Sequence, residues 1–302
     1  MQPSPALAAA AGAGEVRLKL EHLQNTGSFK IRGAWNKVAA VAEGDPHARL
    51  VTASTGNHGI AVAHAAAEHG MAVTILVGAG SSPAKLERLR ALESDTCVVE
   101  IYGRDSDDTE AEARRRDQAG RATYIPPYND AEVVAGQATV GLEILEEWPE
   151  ADTILVPMGG GGLISGIGLW VKTVNPKVRV IGIQPEASPP FAAQRVTGSA
   201  KPIPIGPTLA DGVAGNVERG SITWKLSQRW VDEIALVGED EIAVAMAWAL
   251  RIHRHRLEGS GALGIAALLG HHLGDLANSG VAVVLSGGNV DDQTFEDATT
   301  SV

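Results

Sequence analysis

The feature that most constrains the fold is an alternation of short apolar runs with longer amphipathic or alanine-rich runs along most of the chain. Short apolar runs between turn residues predict strands, and the longer runs predict helices. The predicted strands are 16–20, 50–53, 72–77, 96–101, 153–158, 178–183 and 281–286. The predicted helices are 28–42, 60–69, 82–92, 107–119, 132–147, 163–172 and 240–255. Strands alternating with helices predict an α/β fold with mostly parallel sheets and helices on both faces.

Charge and cysteine content narrow the class of protein. The 302 residues carry a net charge of -11, which argues against a nucleic-acid partner and against an anionic membrane surface. No stretch approaches the ~18 apolar residues of a membrane span. Arg114, Arg115 and Arg116 are interpreted as a solvated helix face beside acidic residues. The single cysteine, Cys97, is expected to be a buried thiol and suits a reducing cytosol, so a cytoplasmic location is expected.

Four consecutive glycines, Gly159 to Gly162, follow a predicted strand and precede a helix that opens at Leu163. Backbone N–H groups that curl around an anion at a helix start are typical of a phosphate site. The run is neither a P-loop, because no Gly-Lys-Ser/Thr follows, nor a dinucleotide fingerprint, because Ile164 stands at the final glycine position. A tight turn would also explain the run, but adjacent glycines are entropically costly without a ligand.

Two further polar segments follow strands, where parallel sheets bind ligands. The segment 54–59 offers two hydroxyls, an amide and backbone N–H groups that suit a carboxylate, although an N-cap turn explains Ser54 and Thr55 equally. The segment 286–289 supplies the hydroxyl of Ser286, which alone is weak evidence.

Lys30 is the candidate nucleophile. If Ser28 caps a helix, Lys30 lies in its first turn, where the positive end of the dipole lowers the pKa of an amine. A neutral amine is what Schiff-base chemistry requires. Considered alone, Lys30 is more typical of an ordinary surface lysine.

Taken together and in this order, the segments 28–34, 54–59, 159–162 and 286–289 resemble the motifs of the fold-type II pyridoxal-phosphate enzymes. The resemblance is strongest to the serine/threonine dehydratase and serine racemase branch, and 135–137 and 210–213 also fit. It implies a tryptophan-synthase-β-like fold of two three-layer α/β/α domains. We expect a large cofactor-binding domain over 1–49 and 128–302, and a small domain over 50–127 that carries the substrate-carboxylate loop.

The resemblance also implies roles. Lys30 would form the Schiff base with pyridoxal 5'-phosphate and remove the α-proton of a small amino-acid substrate. The other implied cofactor contacts are Phe29, Asn57, Gly159, Gly160, Gly161, Gly162, Leu163 and Ser286. The implied substrate-carboxylate contacts are Ser54, Thr55, Gly56, Asn57 and His58. Ser286 would face the pyridine nitrogen as a neutral hydroxyl, which suits β-elimination of water to a 2-oxo acid and ammonia. A homodimer is the family expectation.

Several departures from the family leave more than one reaction open. The Gly-Asn-His-Gly loop and Ile31-Arg32 after Lys30 favour elimination over β-replacement. Thr55 stands where racemases carry a serine acid/base, so it is a second catalytic candidate and leaves racemisation as a side reaction. A dehydratase for hydroxyectoine or phenylserine breakdown, a serine racemase and a catalytically idle amino-acid-binding protein are also compatible with the motifs.

No metal site is expected. Gln184-Pro185 replaces the Glu-Pro of cation-binding relatives, and Pro190 stands where a further acid is usual. His253 and His255 are two apart on a predicted helix and so should not share a face. Glu258 either approaches the cofactor ring or ends a helix.

The position of the motifs sets two further expectations. Lys30 comes earlier than is usual in the family, so an N-terminal helix is either missing from this sequence or absent from the protein. No regulatory domain follows the segment 286–289, so feedback control of the biosynthetic type is not expected.

Overall fold

A computed structural model describes residues 1–300. The strands are β1 (Gln2–Pro3), β2 (Glu15–Lys19), β3 (Leu50–Ala53), β4 (Val73–Val77), β5 (Cys97–Ile101), β6 (Thr123–Tyr124), β7 (Thr153–Pro157), β8 (Arg179–Pro185), β9 (Glu233–Val237) and β10 (Gly280–Val284). The helices are α1 (Pro5–Ala11), α2 (Lys30–Gly44), α3 (Asn57–Glu68), α4 (Pro83–Arg90), α5 (Ser106–Gln118), α6 (Ala131–Glu147), α7 (Gly162–Val174), α8 (Pro190–Thr197), α9 (Ile222–Trp230), α10 (Glu239–His253), α11 (Gly259–Leu269) and α12 (Asp292–Thr300). Two 3₁₀ turns cover Glu21–Leu23 and Asp211–Val213.

The chain divides into a larger unit, residues 1–28 and 137 onward, and a smaller unit, residues 29–136. The predicted boundaries put 29–49 and 128–136 in the larger domain, whereas the structure groups both with the smaller unit. The reason is that α2 packs along α3. The start of α6 also closes on α2 so tightly that a Cβ at Gly136 would lie 2.5 Å from the Arg32 carbonyl oxygen.

The larger unit is built on a six-stranded sheet of order β1-β2-β10-β7-β8-β9. All neighbours are parallel except β1, which runs antiparallel to β2. Side chains alternate across the sheet, so Leu155 packs in the core with α10 and α11, whereas Ile154 and Val156 face the side of α7. This is the three-layer arrangement that the sequence predicted.

The smaller unit has a four-stranded, fully parallel sheet of order β5-β4-β3-β6. Its two faces carry separate cores. Leu50 and Ile75 pack with α2 and α3, whereas Val51 and Leu76 pack with Ala113 of α5. The prediction of a second parallel α/β/α domain is therefore confirmed.

Several predicted helix ends are displaced by two or three residues, and three of them show a local reason or consequence. Helix α2 is capped by Phe29 without a side-chain bond, and the backbone of Ser28 forms a bridge with that of Gly287. Helix α3 begins at Asn57 rather than at residue 60. Helix α10 ends at His253 because Arg254 adopts a left-handed conformation with φ of 60°.

The last difference changes the surroundings of two histidines. His253 and His255 are not on one helix, and their rings stack with centroids 6.0 Å apart. They bind Ser4 and Gln2 at 2.7 and 2.6 Å. Within residues 1–300 no cluster of three His, Cys, Asp or Glu side chains could hold a metal ion.

Two findings bear on the predictions about membrane spans and about the single cysteine. None of the helices within residues 1–300 combines the length and apolar character needed to cross a membrane. Cys97 is a buried free thiol whose pKa is raised, first by burial and then by the charge of Glu93.

The imidazole of His22 makes the stability of the larger unit depend on pH. Both ring nitrogens are buried without a hydrogen-bond partner among the described residues, and the ring lies 4.6 Å from that of His255. Burial, and then the charge of His255, lower the pKa of His22 to about 4. The unfolded chain binds a proton near pH 6.5 while the folded chain does not, so stability falls as the pH drops from about 6.5 towards 4.

We expect His22 to account for about 2 kcal/mol of the stability lost between pH 7.5 and pH 5. Urea unfolding at both pH values checks this. In the variant His22→Leu the pH-dependent loss should be smaller by that amount. An equal loss in both proteins would contradict the buried, neutral His22.

Candidate active site

In the smaller unit, the Lys30 amino group is held at the carboxyl end of the sheet. Lys30 is the first residue of α2, as predicted, and its side chain is half-buried rather than on an open surface. Its Nζ donates to the carbonyl oxygen of Pro127 at 2.9 Å and lies 5.3 Å from the ring centroid of Phe29. Pro127 follows β6 closely, so the contact anchors the amine where the strands end.

His58 lies near Lys30 as a neutral, buried imidazole. Burial, and then the positive charge of Lys30, lower the pKa of His58 to about 3. Its Nε2 donates to the Ile125 carbonyl at 2.9 Å, and the Thr52 hydroxyl donates to the same oxygen at 2.9 Å. A neutral imidazole used in this way offers no positive charge to a carboxylate, so any contact with one would come from backbone groups.

The loop of residues 54–56 connects β3 to α3 and is closed by a local hydrogen bond. The Ser54 hydroxyl accepts a hydrogen bond from the Gly56 N–H at 3.3 Å, so this hydroxyl already has one partner within the loop. At Gly59 a Cβ would lie 2.5 Å from the Ser54 carbonyl oxygen, so only glycine allows the helix to start this close to the loop. The first turn of α3 follows this loop directly, and the N-terminus of a helix suits an anion.

In the larger unit, the glycine loop connects β7 to α7. Gly161 is left-handed, with φ of 84°, and caps the helix. A Cβ on Gly161 would lie 2.7 Å from Cζ of Phe191. Among the described residues, no acceptor pairs with the backbone N–H of Gly159, Gly160 or Gly161. Unpaired N–H groups beside a helix N-terminus suit a phosphate group.

Gln184 supports this loop through a contact that the sequence did not reveal. Its side chain is fully buried and both ends of the amide are bonded. The Nε2 donates to the Met158 carbonyl at 3.0 Å, and the Oε1 accepts from the Ala192 N–H at 3.0 Å. Gln184 thus joins the residue before the glycine loop to α8, and its side-chain oxygen already accepts a hydrogen bond.

Ser286 and Ser260 form a second polar group in the larger unit. Ser286 follows β10, is buried, and its hydroxyl donates to the Ser260 carbonyl at 3.4 Å, which is a long bond. The Ser260 hydroxyl is buried without a partner among the described residues. Glu258 is the buried N-cap residue of α11, so it occupies a helix end, which was one of its two expected positions. A Cβ at Gly212 would lie 2.8 Å from Ser260 Oγ.

These features fit the family that the motifs indicate. Residues 1–287 match the family described as pyridoxal-phosphate dependent enzymes, which is nearly the whole chain, so the chain belongs to that family. The fold is fold type II, as predicted. The unpaired N–H groups of the glycine loop suit a phosphate group such as that of pyridoxal phosphate.

Relatives and solved structures agree with this assignment. The chain is 42% identical to the L-threonine ammonia-lyase of Thermotoga maritima over 92% of this chain and 68% of that protein. It is 38% identical to the catabolic L-threonine dehydratase TdcB of Escherichia coli K12 over 92% of this chain and 84% of that protein. The structure of maize serine racemase superposes with a TM-score of 0.88 at 32% identity, covering 98% of this chain and 91% of that one.

Proposed function

We propose that this protein is a pyridoxal-phosphate-dependent ammonia-lyase that eliminates water from a small 3-hydroxy amino acid of the L-threonine or L-serine type. The observation that carries the proposal is the 42% identity to an L-threonine ammonia-lyase across nearly the whole chain. The position of the Lys30 amine, on the Pro127 carbonyl beside the loop that begins α3, supports it.

Lys30 is proposed to hold the cofactor and to take the α-proton of the substrate. When bound, the cofactor supplies an electron sink for the electrons left at the α-carbon. The Pro127 carbonyl fixes the direction of the amine, and the ring of Phe29 lies beside it. A positioned base of this kind contributes about 10²–10⁴-fold to a rate.

The substrate carboxylate is proposed to bind at the start of α3, where Ser54, Thr55, Gly56, Asn57 and His58 were predicted to hold it. The lowered pKa of His58 supports binding through backbone N–H groups and hydroxyls rather than through an ion pair. The hydroxyl of Thr55 is the candidate acid/base on the second face, through which a racemase side reaction would run.

Residues 159–163 are proposed to bind the cofactor phosphate, Asn57 its phenolic oxygen and Ser286 its ring nitrogen. Ser286 already donates to a carbonyl, although over a long distance. A neutral hydroxyl leaves the ring nitrogen less protonated than a carboxylate would, which favours rapid loss of water over a long-lived carbanion. The homodimer and the cytoplasmic location stay predictions, and light scattering would test the dimer.

The test is an assay of the purified holoenzyme with L-threonine, L-serine, a phenylserine and hydroxyectoine-derived hydroxy amino acids. We expect equal amounts of 2-oxo acid and ammonia from L-threonine or L-serine, with slower formation of the D-isomer. Faster racemisation than elimination would assign the chain to the racemases. A larger preferred substrate would overturn the threonine/serine assignment, and no turnover would support the idle binding protein.

A further inference from the structure

We propose that the smaller unit binds a phosphate-type dianion in a pocket between α5 and the amino-terminal ends of β3 and β4. The pocket has a volume of about 270 Å³. Its polar lining consists of Arg49, Arg115, Arg116, Arg121, Glu112 and Thr74. All of these residues belong to the smaller unit.

The pocket lies away from the proposed substrate-carboxylate loop. Leu50, the first residue of β3, and Thr74, the second of β4, line it. The loop of residues 54–56 follows the opposite, carboxyl-terminal end of β3. Because the strands are parallel, the pocket and the loop are at opposite ends of the strands of the same sheet.

Two of the four arginines are neutralised by acidic partners. Glu112 is buried, with 2% of its side chain exposed, and it binds Arg115 at 2.6 Å and Arg116 at 2.8 Å. Arg116 also forms a paired contact with Glu100, at 2.6 and 2.9 Å. The prediction that Arg114 to Arg116 and their acidic neighbours form a solvated helix face is therefore wrong for Glu112 and Arg116. Two acids balance two arginines and hold them in place along the pocket wall.

Arg49 and Arg121 supply the charge that remains. Among the described residues, neither side chain has an ion-pair or hydrogen-bond partner, and both are exposed. The half-buried Thr74 hydroxyl is likewise unpaired within residues 1–300. The pocket thus keeps about two uncompensated positive charges on a chain whose net charge is -11.

A phosphate monoester matches this lining in charge and geometry. It carries about -1.5 to -2 charges at pH 7, close to the two free guanidinium groups. Guanidinium forks bind phosphate oxygens in pairs, and such charge-assisted bonds are roughly twice as strong as neutral ones. The small volume suits a small phosphorylated metabolite or free phosphate, and the acidic chain disfavours a nucleic acid.

Calorimetric titration of inorganic phosphate into the holoenzyme tests the proposal, with ionic strength held constant by NaCl. The cofactor fills its own phosphate loop, so any saturable binding reports a second site. We expect one site per chain with millimolar or tighter affinity. The double variant Arg49→Gln/Arg121→Gln should bind phosphate more weakly by about tenfold or more. The variant Thr74→Val should lose less of its affinity for phosphate.

The matched control is Arg90→Gln, which removes the same charge from an exposed residue at the end of α4 outside the pocket. Its affinity for phosphate should equal that of the wild type. No saturable binding to the wild type, or equal affinity in the double variant and the wild type, would overturn the proposal. Because neither arginine has a side-chain partner, melting temperatures without phosphate should be unchanged, which shows that the variants are folded.

Two further titrations identify the source of the dianion. Tighter binding of glycerol 3-phosphate than of phosphate supports a phosphorylated metabolite, and equal binding supports free phosphate. Succinate binding as tightly as phosphate would overturn the assignment to phosphate. The proposal does not depend on the ammonia-lyase activity, so a failed turnover assay leaves it standing.

Discussion

Replacing Lys30 with alanine should reduce turnover of L-threonine or L-serine by about 10³-fold or more. The substitution removes both the proposed attachment point of the cofactor and the proposed base, and a positioned acid or base alone contributes about 10²–10⁴-fold. Initial rates at saturating cofactor, with the visible absorption of the lysine-bound cofactor, provide the measurement. That absorption should disappear as well.

Lys37→Ala is the matched control for this prediction. Lys37 is on the same helix and forms a largely buried ion pair with Asp130 at 2.7 Å, and neither residue belongs to the proposed site. Its rate should stay within about twofold of the wild type. If Lys30→Ala keeps a tenth of the activity or more, Lys30 is not the base, whatever the effect on stability.

Replacing Gly161 with alanine should weaken binding of pyridoxal phosphate by about tenfold or more and also destabilise the larger unit. A left-handed conformation costs a non-glycine residue about 1–2 kcal/mol. The new Cβ would in addition lie 2.7 Å from Phe191 and 3.0 Å from Thr223, and overpacking costs about 1–3 kcal/mol. Relief of these contacts must shift the loop whose N–H groups are proposed to bind the phosphate.

Gly198→Ala separates strain from loop position. Gly198 ends α8 with φ of 65°, and no atom lies within 4 Å of the position of its Cβ. The free energy of unfolding of this variant should therefore fall by only the conformational cost of about 1–2 kcal/mol. The variant should bind the cofactor as the wild type does. Titration of the apoenzyme with pyridoxal phosphate and urea unfolding measure the two effects. Equal cofactor affinity in Gly161→Ala and the wild type would contradict the proposed phosphate loop.

Local patterns were sufficient for most of the fold. Fully buried strands such as β3 and β7 are visible because their apolar runs are short and bounded by turn residues. Helix α11 was missed because it is buried on almost all sides, so its sequence has no polar face and no helical period. The two-residue strand β1 exists only through its pairing with β2, which has no local signal in the sequence.

The candidate site could be predicted only in part. The glycine run and the Ser54–Gly59 segment carry their chemistry in adjacent residues, and so they were found. The contacts of Gln184 and of the Ser260 carbonyl were not found, because one joins backbone groups of two separate segments and the other joins the start of α11 to Ser286. Neither contact leaves a trace in residue spacing.

The sequence by itself determined the parallel α/β architecture, the family and the identity of Lys30 as the candidate base. These follow from residues that are neighbours in the chain and from the order of four motifs. Only the tertiary structure decided what holds the amine, since Pro127 is 97 positions away from Lys30. It also decided that His58 is neutral and that two arginines near α5 are left without partners, because burial and ion pairing depend on contacts between distant segments.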